Sequence, residues 1–95
     1  MSVAVIVGHQ LKEGRTGAYV EYMREMIALT KEEDGCIAYD LYEANDGSGG
    51  CVLIEIWESQ EKLDAHMETD HFKKFIPGTI EYLNEPLEGK VYNLL

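Results

Sequence analysis

Two stretches of this chain are apolar at consecutive positions, where a half-buried strand would alternate. In the first, Val3, Val5 and Val7 fall on one face and Ala4 and Ile6 on the other; in the second, Val52, Ile54 and Ile56 oppose Leu53 and Trp57. An antiparallel strand with one wet face alternates apolar with polar residues, so a sheet built from these strands needs a cover on both sides. Helical periodicity supplies part of that cover. Val20, Met23, Ile27 and Thr30 share one stripe, with Tyr19 and Met26 beside it, while Glu21, Arg24, Glu25, Lys31 and Glu32 face away. Thr16 is the expected N-cap and Gly35 the expected stop.

Cys36 to Ala44 reads as a second strand, Asn45 to Gly50 as a loop of turn formers, and Cys51 to Trp57 as a third strand. Pairing Ala44 with Gly50 sets a register in which opposed residue numbers sum to about 94. It places Ile37, Tyr39, Leu41 and Glu43 on one face with Cys51, Leu53, Glu55 and Trp57. Ser59 caps a helix from Gln60 to about Glu68, whose inner face carries Leu63, His66 and Met67. Thr69 caps another that buries Phe72, Phe75 and Ile76 until Pro77-Gly78 breaks it. Thr79 to Leu83 is a further short turn, and Leu87 to Leu95 a last strand.

The order β-α-β-β-α-β predicts an α+β, ferredoxin-like fold: a four-stranded antiparallel sheet with its helices on one face. The chain is expected to form one domain over residues 1–95, a length suited to one core. Its helices cover one sheet face only, so the simplest cover for the other is a second copy of the chain. A homodimer is expected.

Charge narrows the partners. Eight basic residues against eighteen acidic give a net charge of −10, which repels phosphate backbones and anionic lipid, so neither nucleic acid nor a membrane is an expected partner. No run reaches the ~18 apolar residues of a membrane span. The apolar start lacks a basic segment and a cleavage site, so a cytoplasmic location is expected. Cys36 and Cys51 have no Cys or His at metal-ligand spacing and begin antiparallel strands, roughly 25 Å apart at ~3.3 Å per residue. They are expected as free, buried thiols and not as a disulfide.

Among chemistry-bearing residues, His66 stands out as an imidazole between Leu63 and Met67 on an inward face. It is either a core histidine satisfied by a backbone carbonyl or a neighbouring carboxylate, or a general base in a pocket. His71, beside Asp70 in the next helical turn, is expected to be exposed, and His9 is placed to reach a pocket mouth. Trp57, Tyr39, Met23, Met67 and Phe72 are candidates for an apolar wall around a small aromatic ligand, with ordinary core packing as the alternative. No cluster of metal ligands is evident.

The stretch Glu55-Ile56-Trp57-Glu58-Ser59-Gln60-Glu61-Lys62-Leu63-Asp64-Ala65-His66-Met67-Glu68-Thr69-Asp70-His71-Phe72 closely resembles the antibiotic biosynthesis monooxygenase (ABM) superfamily, above all its small quinol-monooxygenase-like bacterial members. Gly35 to Leu41 resembles that family's entry into its second strand. The resemblance implies a dimeric α+β barrel of two ferredoxin-like subunits. It also implies a metal- and flavin-free oxygenation of a small quinol or polyphenol, with His66 as base and no cofactor. The haem-degrading branch shares Trp57 but uses an asparagine in the first strand and an axial histidine, where this chain has no asparagine and has Ile76. No haem is therefore expected. Isomerisation or cleavage of a small oxygenated metabolite, and ligand binding without turnover, remain as alternatives.

Overall fold

The computed structural model describes all 95 residues. Its strands are β1 (Val3–His9), β2 (Cys36–Glu43), β3 (Cys51–Trp57) and β4 (Glu88–Asn93), and its helices α1 (Thr16–Lys31), α2 (Gln60–Met67) and α3 (Asp70–Gly78). A short 3₁₀ turn, Thr79–Glu81, follows α3. All neighbouring strands pair antiparallel in the order β2-β3-β1-β4, the α+β ferredoxin-like arrangement. No helix is long and apolar enough to cross a membrane.

The pleat sorts residues by parity. Val3, Val5, Val7, Tyr39, Leu53 and Trp57 are buried under the helices, with Tyr19, Met23 and Met26 of α1 and Leu63 and Phe75 of α2 and α3 packed on them. Even-numbered residues point to the opposite face, where Ile6, Tyr42 and Tyr92 remain between 42% and 52% exposed. From Ala38↔Ile56 to Glu43↔Cys51 the β2–β3 register sums to 94, as the hairpin pattern predicts. Ile37 departs from that pattern. The register shifts between Cys36 and Ala38, so Ile37 leaves the inner face and stands 59% exposed.

Local chemistry explains the helix ends. Ser59 accepts from the Lys62 amide and Thr69 from the Phe72 amide, so each caps as its sequence suggests. Thr16 does not cap α1: Arg15 holds that position, and the Thr16 hydroxyl instead donates to the Gly49 carbonyl at 2.8 Å, tying α1 to the β2–β3 loop. α3 does end at Pro77-Gly78: Pro77 lies in its last turn, where the missing N–H removes one helix hydrogen bond, and the chain then tightens into the 3₁₀ turn. Gly35 lies four residues beyond α1 at φ +87°, ready to enter β2, and a Cβ there would clash with the Lys62 side chain. Lys62 also pairs with Asp34, which seats the α1–β2 loop against α2. Cys36 and Cys51 are free thiols.

Candidate functional site

Parity and the edge position of β4 together leave a hollow between the sheet and α2–α3. Its volume is about 260 Å³, near the lower end of small-ligand pockets. Val5, Val7 and Leu53 form its floor, Leu63, Met67, Phe72 and Ile76 its roof, and Val91 its flank on β4. Four polar side chains interrupt this apolar lining: Tyr39, Glu55, Gln60 and His66. Convergence of a few polar groups in an apolar cleft is the general form of a small-molecule site.

His66 lies near the C-terminal end of α2 and is 1% exposed. Its ring is held on every side. Trp57 lies against it at 4.7 Å between centroids, with Tyr39 and Phe72 edge-on at 5.4 Å and 5.1 Å. Its Nδ1 lies 2.7 Å from Oε2 of Glu33, in the loop between α1 and β2, and Nε2 of His71 lies 2.7 Å from the same oxygen. A carboxylate only accepts, so both ring nitrogens facing Glu33 carry the proton. In the neutral ring, His66 is then left with its lone pair on Nε2. Burial pushes the His66 pKa down, partly opposed by the hydrogen bond to Glu33, which favours that neutral form at neutral pH.

Glu55 is the second titratable group of the pocket. It is 6% exposed and accepts from Trp57 Nε1 at 3.0 Å through one oxygen. Burial raises its pKa to about 7, against the opposing effect of the tryptophan bond. Tyr39 stands opposite Glu55 across the β2–β3 pair, and burial drives its phenol further toward the neutral form. The pocket thus holds a base with a fixed tautomer beside a carboxyl able to give or take a proton near neutrality.

The structure brings together His66, Tyr39, Met67 and Phe72 on the pocket wall. Trp57 and Met23 stand elsewhere. Trp57 is fully buried behind His66, where it supports the imidazole and Glu55, and Met23 is core under α1. His71 is not exposed as expected; its side chain is only 15% accessible because Glu33 holds it. Nor does His9 reach the pocket. Its Nδ1 donates to the Val7 carbonyl at 2.9 Å and its ring packs on Tyr19. Strand parity places Glu55 on the inner face but does not mark it as a site residue, whereas Glu33 hides in the charge run Lys31-Glu32-Glu33-Asp34, which reads as a solvated helix end. Ile76, at the position aligned with the haem branch's axial ligand, offers the pocket an apolar side chain.

Known proteins share this architecture. A solved structure of a conserved protein from Methanosarcina mazei is 27% identical and superposes with a TM-score of 0.92, covering 98% of this chain and 92% of that one. The structure of Rv0793 from Mycobacterium tuberculosis, 35% identical, gives 0.90 over 100% of this chain and 96% of the other. Rv0793 carries the name "Putative monooxygenase", and its sequence is 36% identical over 85 residues, 90% of this chain and 83% of its own length. An uncharacterised Synechocystis protein, sll1783, is 26% identical over 91 residues; the chain matches 95% of its own length but spans only 62% of that relative. The family model for antibiotic biosynthesis monooxygenase matches residues 2–78, which include every strand of the pocket floor, α2 and α3. The chain belongs to the antibiotic biosynthesis monooxygenase family.

Proposed function

We propose that this protein is a cofactor-independent monooxygenase of a small quinol or polyphenol, with His66 as the general base. The observation that carries this reading is the Glu33–His66 pair, which leaves a lone pair on Nε2 of a ring in the wall of an apolar pocket. A phenolic hydroxyl placed there would pass its proton to Nε2. The resulting phenolate is electron-rich enough to reduce dioxygen by one electron, and the dry walls would protect the radical pair until it recombines as a ring peroxide. The O–O bond then breaks: the inner oxygen stays on the ring as a carbonyl as the ring carbon gives up its proton, and the outer one leaves as water, with Glu55, of pKa near neutrality, suited to protonate it. A volume of about 260 Å³ favours a one- or two-ring substrate. Oxygen-electrode measurements with a panel of hydroquinones test the reading. His66→Ala should lower turnover at least ~100-fold while the fold is retained. A variant that melts early yet turns over normally would make His66 a structural residue.

The outer sheet face belongs to the same reading. Ile6, Ile54, Ile56, Tyr42 and Tyr92 form an apolar surface on strands that no helix of this chain covers. A second copy offers an equally apolar and self-complementary face, so the working unit is a homodimer with a pocket in each subunit.

A further inference from the structure

The Glu33 carboxylate does more than orient His66: it draws in a second histidine from another helix. Glu33 Oε2, His66 Nδ1 and His71 Nε2 all lie within 4.8 Å of one another. The three side chains come from the α1–β2 loop, the end of α2 and the first turn of α3, so the fold and not local sequence brings them together. We infer that Glu33, His66 and His71 form a binding site for a divalent transition ion of the zinc type, on the far side of the His66 ring from the pocket. Two imidazole nitrogens and one carboxylate oxygen suit zinc and its neighbours, and leave a coordination position open to water.

Chemistry and access both support this. The ion would replace the two protons now shared with Glu33. Bonds of ~2.0–2.2 Å in a tetrahedral site need the ligand atoms ~3.3 Å apart, so the present 2.7 Å contacts open by roughly half an ångström. Side chains of Glu33 and His71 are 14% and 15% accessible, which gives an ion a route from solvent, while His66 at 1% closes the inner side. The chain's net charge of −10 concentrates cations at its surface.

Loading this site would silence the base. Metallation of Nδ1 moves the His66 proton to Nε2, and His71 likewise carries its proton on Nδ1, so no proton is lost from either neutral ring. Nε2 then donates and can no longer accept. This consequence rests on His66 being the base; ion binding itself does not. The test is calorimetric titration of the metal-stripped full-length protein with Zn²⁺. One ion per chain is expected, with His71→Ala and Glu33→Gln each weakening it at least about tenfold, since even outer-shell changes commonly cost that much. Cys36→Ser, near Glu33 but outside the triad, should bind as the wild type does. Equal affinity in the His71 and Glu33 variants, or loss of binding in Cys36→Ser, would overturn the site. Zinc that binds through the triad yet leaves quinol turnover untouched would uphold the site and count against His66 as base.

Discussion

Ile54 and Glu55 are neighbours in β3, and the pleat sends them to opposite sides of the sheet. Ile54 joins a half-exposed surface of isoleucines and tyrosines with no covering helix. Glu55 lies under α2, buried against Trp57, with its proton affinity raised by the absence of water. The outer face is broad and apolar along the central strands, with Asp40 and Lys90 on the edge strands beside Ile54 and Ile6; the inner face is apolar with a few polar exceptions. Broad apolar surface favours association, because it gains from exclusion of water without regard to detail. Isolated polar groups in an apolar wall favour chemistry, because each is desolvated and fixed. The two faces should therefore respond to substitution independently.

The largest effect is expected on the outside. Ile54→Glu places a carboxylate in each half of the proposed symmetric interface, at a desolvation cost of several kcal/mol per ion, and should yield monomers. Light scattering would then read a mass near 10.8 kDa instead of twice that value. Retention of the dimer would show that this face is not the interface.

Next comes Glu55→Gln, read through pH. Glu55 has a pKa of 4.5 unfolded and about 7 folded, so between these values the native state binds more protons and stability falls as pH rises. Removing the group should flatten that decline, with a relative gain above pH 7 on the order of 3 kcal/mol. His66 and His9, with lowered folded pKa values, act in the opposite sense: their contribution is present above the unfolded value of 6.5 and lost as pH falls. Denaturant melts of wild type and variant from pH 4.5 to 8 separate the two. Parallel curves would mean that Glu55 is not protonated in the native pocket. His66→Ala sharpens the same comparison, since turnover should collapse while the dimer mass does not change.

The smallest effect concerns the seat of the α1–β2 loop. Gly35→Ala forces a side chain into a left-handed conformation and against Lys62, and should cost about 1–3 kcal/mol of stability. A thermal melt unchanged within a degree would show that the loop can relax away from α2.

The elements were legible in the sequence because strand and helix periods differ and each is repeated several times. Parity alone placed Tyr39, Leu53 and Trp57 inside. Site details were less legible, for a physical reason. Trp57 and Met23 have the chemistry of pocket walls, but whether such a side chain meets a void or a neighbour depends on how helices stack, which no local pattern records. Glu33 illustrates the same limit. Nothing in its neighbours distinguishes it from Glu32, yet the loop turns one outward and the other onto two histidines.

The bonds from Glu33 to His66 and His71 join residues 33 and 38 positions apart. Contacts at that separation carry a larger loop-closure cost than the β2–β3 hairpin between them, so in folding they should come late. During synthesis, Glu33 and both strands of the hairpin leave the ribosome well before either histidine. A nascent or partly refolded chain can thus hold its β2–β3 hairpin in register and still lack an oriented imidazole. In such a chain, the proposed His66-dependent turnover would be the last property to return, after sheet signals and compactness have already recovered.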